Sequence, residues 1–241
     1  MKRSLLLISG SRTFGTGYLD HCESQIREIL RGVNEVLFIP YARPELMTHD
    51  EYTQYTRDRF EKMGIKLKGI HETDSLQKAV LSAESIFAGG GNTFLLLKSL
   101  YENKLLEVIR KRVREGIPYI GSSAGSNIAG LTVGTSNDMV IAYPPSIEAL
   151  SLVPFNINPH YADPDPNSKL QAETRERRIK EFHGFNEQPV VGLREGSMLH
   201  IVNNNVYLKG ITGARIFKRG ETPTEHVPGE SLDFLLYETQ K

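Results

Sequence analysis

Five residues, Gly121-Ser122-Ser123-Ala124-Gly125, place a serine hydroxyl among neighbours too small to obstruct it. They follow the apolar run "IPYI" (117–120) and precede "SNIAG", so the chain leaves a strand and starts a helix across them. G-x-S-x-G at a strand-to-helix junction suits a nucleophile: the strained turn lifts the hydroxyl clear, and the next N–H faces the developing oxyanion. Two other readings compete. Ser122 or Ser123 could cap a helix, or the segment could cradle a phosphate. The phosphate reading is the weaker, because neither this segment nor "GGGNTF" (89–94) contains G-K-[ST] or a spaced G-x-G-x-x-G. Gly89-Gly90-Gly91 adds a second ingredient. Three glycines cost more chain entropy than a simple turn requires, and they free the backbone to present N–H groups in an oxyanion-binding concavity. The plainer reading is a turn before a helix capped by Asn92 or Thr93.

A nucleophilic serine needs a base, and the chain offers 7 histidines. His21, His49, His71 and His226 lie in polar surroundings and read as surface residues, whereas His200 alternates with Leu199 and Ile201 as a strand residue would. His160 in "FNINPHYADPDP" follows Asn158-Pro159, in a segment that reads as a rigid loop, too proline-rich for helix or strand. No two histidines have metal-ligand spacing, so no hydrolytic metal site is expected, and the chemistry read here calls for no cofactor. The base in turn needs an orienting carboxylate. Asp138 in "TSNDM", Asp163 and Glu195 in "GLREGS" are candidates. Glu195 follows the buried strand "PVVGL", at the carboxyl end where α/β sheets gather their sites.

The elements that must position these groups follow from periodicity. "SLLLIS" (4–9), "EVLFIP" (35–40), "IKLKGI" (65–70), "SIFAGG" (85–90) and "IPYIGS" (117–122) read as strands, several apolar on consecutive residues as in a parallel sheet covered on both faces. Helical patterns fall near 18–31, 48–63, 74–82 and 93–114, the last stopped by Gly116. The βαβα rhythm predicts an α/β fold: a mostly parallel sheet with helices on both faces. Beyond residue 185, "PVVGL", "SMLHIV", "NVYLKG" and "GARIFK" read as C-terminal antiparallel strands in hairpins, with Asn203-Asn204-Asn205 as a turn. No linker or repeat divides residues 1–241, which read as one domain. Its 29 Lys+Arg balance 29 Asp+Glu, which excludes a nucleic acid or an anionic membrane as the main partner. The apolar run Leu5–Ile8 is shorter than the ~7–15 residues of a signal core, no segment approaches the ~20 residues of a membrane span, and the single cysteine, Cys22, allows no internal disulfide. These features point to a soluble cytoplasmic protein.

Six motifs, "GGGNTF", "GSSAGSNIAG", "TSNDM", "INPHY", "ETRERRI" and "GLREG", occur in the order and spacing of peptidase E, the alpha-aspartyl dipeptidases. The resemblance runs from "LLLIS" to "IFK" near residue 217. It implies a fold similar to class I glutamine amidotransferases with serine at the elbow, and hydrolysis of dipeptides that begin with aspartate. It further implies Ser123 as nucleophile, His160 as base and Glu195 as orienting acid. The Gly89, Gly90 and Gly91 backbone with the Ala124 N–H would form the oxyanion hole, and Arg175 and Asn92 would contact substrate. "ETRERRI" carries Arg175, Arg177 and Arg178; Arg175 and Arg178 share a helix face by their spacing, and a guanidinium can bind the aspartate carboxylate through two parallel hydrogen bonds. A small Asp-Xaa peptide is thus the expected partner, with the chain a monomer or homodimer. The order Ser…His…Glu excludes an α/β-hydrolase, which would need Ser123…Asp138…His183 with its histidine inside a helix. Two alternatives remain: a cyanophycinase-like or other serine hydrolase, and a catalytically silent binding protein of the same fold.

Overall fold

In the computed structural model, which describes residues 2–43, 46–164, 167 and 173–237, the apolar run at the start is a strand whose side chains alternate between two cores. Leu5 and Leu7 enter one cluster while Leu6 and Ile8 enter the other. Val36 and Phe38 against Leu37 and Ile39 repeat the pattern in the next strand. Period-two alternation with both faces apolar is what a sheet sandwiched between helices requires.

The described elements run β1 (Ser4–Ile8), α1 (Glu23–Ile29), β2 (Glu35–Ile39), α2 (His49–Lys62), β3 (Lys66–Gly69), α3 (Leu76–Ser82), β4 (Ile86–Ala88), α4 (Thr93–Glu102), α5 (Leu106–Arg114), β5 (Tyr119–Ser122) and α6 (Ala124–Asn127). There follow β6 (Asn156–Tyr161), α7 (Arg175–Phe182), β7 (Val190–Arg194), β8 (Ser197–Val202), β9 (Asn205–Gly210), β10 (Ala214–Phe217) and β11 (Thr224–His226). A seven-stranded sheet has the order β3-β2-β4-β5-β1-β8-β9. Its first five strands are parallel, and β8 and β9 add an antiparallel edge. Helices α1 and α2 cover one face with Ile26, Ile29, Tyr52 and Phe60; α3, α4 and α5 cover the other with Val80, Leu96, Leu100, Ile109 and Val113. This is the expected α/β class.

Three local expectations need correction. The pattern over 93–114 is two helices, because α4 ends in a Schellman motif: Leu105 N–H bonds Leu100 O at 2.8 Å and Lys104 N–H bonds Tyr101 O at 3.0 Å. Lys104 takes the left-handed turn at φ 54, a position glycine usually holds. The pattern over 18–31 contributes only a short 3₁₀ turn, Asp20–Cys22, and α1. The C-terminal strands do not all form hairpins. β8 and β9 do, turning at Asn203 with φ 55, but β7 leaves them for a second sheet of order β11-β10-β7-β6, in which it pairs parallel with β6. That sheet lays Ile157, Val191, Leu193 and Ile216 on the larger core and covers its outer face with Ile179 of α7.

Candidate active site

The elbow is built by close backbone approaches. A Cβ on Gly121 would lie 2.5 Å from Gly125 O, and one on Gly125 would lie 2.1 Å from Ala88 O, so neither position admits a side chain. Ser126 holds the turn from below, its hydroxyl 2.7 Å from Ile8 O and 2.8 Å from Gly121 O. Between these fixed points Ser123 adopts φ 53, ψ −108, a strained conformation for a residue with a side chain. Ser123 stands at the N-cap position of α6, yet its side chain caps nothing. Its Oγ lies 2.7 Å from His160 Nε2 instead.

His160 reaches that hydroxyl from a strand and not from the loop expected for it. β6 runs straight through Asn158-Pro159-His160, with an irregular register against β7 between Asn158 and Tyr161 and His160 itself left-handed at φ 54. A bulge tolerates proline, which has no N–H to give the ladder, and re-aims the next side chain. The other ring nitrogen, Nδ1, pairs with Glu195 Oε1 directly beyond the end of β7. The parallel pairing of β6 with β7 therefore delivers base and carboxylate side by side. Two residues passed over in the sequence complete the support. Buried Ser9, at the end of β1, accepts from His160 N–H at 2.9 Å and donates to Leu193 O at 2.9 Å, tying the two sheets together beneath the histidine. At Gly10 a Cβ would fall 2.3 Å from Glu195 Oε2 and 2.9 Å from His160 Cε1. The sequence signal for both was a Ser-Gly pair at the carboxyl end of a parallel strand.

The glycine run lies beside the elbow, since a Cβ on Gly90 would meet Ser123 Cβ at 3.2 Å. Its N–H groups are not equivalent. Gly89 N–H is given to Ile39 O at 3.2 Å and Gly90 N–H to the Tyr52 hydroxyl at 3.0 Å. Gly91 and Ala124 N–H have no protein acceptor among the described residues. Asn92 caps α4 by accepting from Leu95 N–H at 3.1 Å and donates to Met139 O at 2.8 Å, so its amide holds the 138–139 loop. Asp138 accepts from Thr93 N–H at 2.8 Å and makes no hydrogen bond to His160. Asp163 is likewise elsewhere, in a two-pronged pair with Arg194 at 2.8 Å for each bond, which holds its carboxyl below the usual carboxylate range.

The three arginines of α7 have different surroundings. Arg177 pairs with Glu181 at 3.5 Å and exposed Arg178 with Glu173 at 2.9 Å. Arg175 is partly buried, donates to Pro159 O at 3.4 Å, and has no ion pair among the described residues. Burial lowers its pKa, with Arg178 acting the same way and the charges of Glu195 and Asp138 opposing. An underused guanidinium thus sits near the carboxylate behind the histidine. His21, His49, His71 and His226 are half-buried, a correction to their surface reading; both ring nitrogens of His21 are enclosed without a partner. His71 Nε2 lies 2.9 Å from Asp50 Oδ1, and His226 bonds its near neighbours Thr224 and Glu230. His200 is a buried strand residue, and His183 ends α7 with Nε2 near Gln188 O at 3.1 Å. Burial pushes the Cys22 thiol up to about 12, which leaves it unreactive. Among the described residues no three His, Cys, Asp or Glu side chains are grouped to hold a metal, and no helix is long and apolar enough to cross a membrane.

The family model described as peptidase family S51 matches residues 5–209. A protein of Drosophila melanogaster described as "Probable alpha-aspartyl dipeptidase" is 47% identical over 237 residues, 97% of this chain and 98% of its own. "Peptidase E" of Streptomyces coelicolor is 45% identical over 233 residues, covering 97% of this chain and 95% of its own. In fold, the chain is similar to a peptidase from an acI-B1 Actinobacterium, with a TM-score of 0.72 at 19% identity, over 96% of this chain and 97% of that one. A putative peptidase E protein of Listeria monocytogenes gives a TM-score of 0.63 at 22% identity, over 88% of this chain and all (100%) of that one. With a family model spanning most of its length and relatives this similar along their whole chains, the protein belongs to peptidase family S51.

Proposed function

We propose that the protein is a serine dipeptidase that hydrolyses the peptide bond after an N-terminal aspartate. One observation carries the reaction class: Ser123 Oγ, His160 Nε2, His160 Nδ1 and Glu195 Oε1 form a continuous hydrogen-bonded relay on a strained elbow. Ser123 Oγ attacks the scissile carbonyl carbon while His160 Nε2 takes its proton, and Glu195 stabilises the imidazolium. The electron pair displaced onto the carbonyl oxygen makes it an oxyanion, which accepts hydrogen bonds from the Gly91 and Ala124 N–H groups, the donors left unclaimed among the described residues. Collapse of the tetrahedral adduct breaks the C–N bond, and the leaving amine takes the proton from His160. Water, deprotonated by the same nitrogen, then cleaves the aspartyl ester and restores Ser123.

Aspartate selectivity rests on Arg175, which alone among the arginines of its helix lacks an acidic partner among the described residues. The names of the relatives, alpha-aspartyl dipeptidase and peptidase E, support the same substrate class. Asn92 acts by holding the loop that carries Asp138, and not as a direct ligand. The reading takes residues 1–241 as one catalytic domain, in keeping with the core that both sheets share. The test compares wild type with Ser123→Ala on aspartyl p-nitroanilide and with a fluorophosphonate label. Turnover is expected to fall by several orders of magnitude with labelling lost and folding retained. Equal turnover by the alanine variant would reject the serine mechanism, and an inert wild type would favour a silent binding protein.

A further inference from the structure

The peptide that joins Gly90 to Gly91 has two ends with different fates. Its N–H is the unclaimed donor of Gly91, and its C=O is held by two side chains from outside the elbow. Tyr52 Oη lies 3.2 Å from Gly90 O, and Arg43 Nε donates to the same oxygen at 2.9 Å. The peptide is trans, so its C=O and N–H point in opposite directions. Whatever fixes the carbonyl fixes the line along which the Gly91 N–H is offered.

We propose that Tyr52 and Arg43 are positioning residues for the oxyanion-stabilising step: by gripping the Gly90 carbonyl they aim and polarise the Gly91 N–H. The inference rests on the serine-hydrolase reading above and deepens it. Four further observations support it. The Tyr52 hydroxyl also accepts from Gly90 N–H at 3.0 Å, so one phenol engages both polar groups of Gly90. Tyr52 is buried and braced edge-on by Phe38, with ring centroids 5.0 Å apart at 87°; burial raises the phenol pKa and keeps it a proton donor. The Arg43 guanidinium lies over the Tyr52 ring, 5.3 Å from its centroid, so the two gripping groups steady each other. Space has been left for them. A Cβ on Gly89 would sit 2.7 Å from Tyr52 Oη, and one on Gly91 would sit 2.1 Å from Ala42 O and 2.6 Å from Arg43 Cγ. Gly91 also holds φ 142, in the range that favours glycine. The three glycines thus serve separate ends, since Gly89 admits the phenol, Gly90 approaches Ser123, and Gly91 bends away from Arg43.

The chemistry explains why a charged residue is used. A hydrogen bond to a carbonyl polarises its peptide and strengthens the N–H at the other end, and a cationic donor does so more than a neutral one. The gain is realised only when negative charge forms on the substrate oxygen, so it appears in the transition state and not in substrate binding.

The test uses Tyr52→Phe and Arg43→Met in the full chain with three readouts: kcat and KM for aspartyl p-nitroanilide, inhibition by free aspartate, and inhibition by the boronic acid analogue of aspartate, whose tetrahedral serine adduct needs the oxyanion donors. Each variant is expected to lose kcat about 10- to 100-fold while KM and aspartate inhibition stay within about twofold. Boronate affinity is expected to fall in step with kcat/KM. If Tyr52→Phe fails to fold, Arg43→Met decides alone, because Arg43 is only partly buried. Wild-type kcat in folded variants overturns the inference, as does an equal loss of aspartate and boronate binding, which would mark a general structural role. Ser123→Ala run alongside separates the two levels. Activity surviving that change rejects the serine reading itself; activity lost there but retained in Tyr52→Phe and Arg43→Met rejects only the positioning role.

Discussion

Glu195 and Asp138 carry the same functional group, and only their surroundings assign them different roles. Glu195 touches a ring nitrogen of His160, whereas Asp138 receives the Thr93 N–H at the start of α4. Glu195→Gln should lower kcat by about 10³-fold or more with little change in folding, since an amide cannot stabilise the imidazolium. An asparagine at 138 can still accept from Thr93, so Asp138→Asn should stay within about tenfold of wild type. Steady-state kinetics on aspartyl p-nitroanilide rank the two, and the reverse ranking would move the orienting role to Asp138. Arg175 is a matter of selectivity. Arg175→Met should reduce kcat/KM for aspartyl substrates by roughly 2–4 kcal/mol, because a carboxylate loses its counter-charge in a partly dry pocket. Leucyl p-nitroanilide should be cleaved no worse than before. Undiminished aspartyl cleavage by that variant would place the specificity pocket elsewhere.

At the scale of elements, two glycines next to catalytic residues should fail in different ways. The obstacle to a side chain at Gly125 is the backbone carbonyl of Ala88 at 2.1 Å, part of β4 and unable to yield. Gly125→Ala should therefore lower stability by about 1–3 kcal/mol, as overpacking does, and lower the unfolding temperature measurably. The obstacles at Gly10 are side chains, the tip of Glu195 at 2.3 Å and the His160 ring edge at 2.9 Å, and these can shift where a backbone carbonyl cannot. Gly10→Ala should leave the unfolding temperature nearly unchanged while turnover falls, because the carboxylate is displaced from His160. Equal loss of stability in both would refute the distinction. The elbow was legible because its demands are local, tiny residues between a strand and a helix. The break between α4 and α5 was not, because Lys104 fills a position that glycine normally announces. The strand under His160 was hidden by Pro159, whose presence argues for a loop until the irregular pairing with β7 is seen.

For the whole molecule, the apolar runs gave away the central sheet, since strands covered on both faces must be apolar on consecutive residues. The second sheet was legible only in part: "PVVGL" and "GARIFK" read as strands, but pairing of β6 with β7 joins segments about thirty residues apart, and no local pattern encodes a partner that distant. Tyr52 and Arg43 were invisible for the same reason, their target being the carbonyl of Gly90. Long-range packing also sets the response to acid. Burial lowers the pKa of His21, His49, His183 and His200 in the folded chain. In the unfolded chain the same groups titrate near ~6.5. Below that value the unfolded state binds more protons, so these histidines contribute stability that is fully present above about pH 6.5 and lost as the pH falls toward their folded values. Glu23 and Asp163 have carboxyls lowered chiefly by their hydrogen bonds to Arg59 and Arg194, so their contribution persists until roughly pH 4 before it too is lost. Two acid steps are therefore expected in the unfolding temperature, the first setting in as the pH falls below about 6.5, ahead of the carboxylates. Replacing His183 and His200 together by glutamine should shrink that first step, leaving the share of His21 and His49, and keep the second in place. An unfolding temperature that is constant between pH 7.5 and 5 in the unaltered protein would show that the enclosed histidines are not what limits its acid stability.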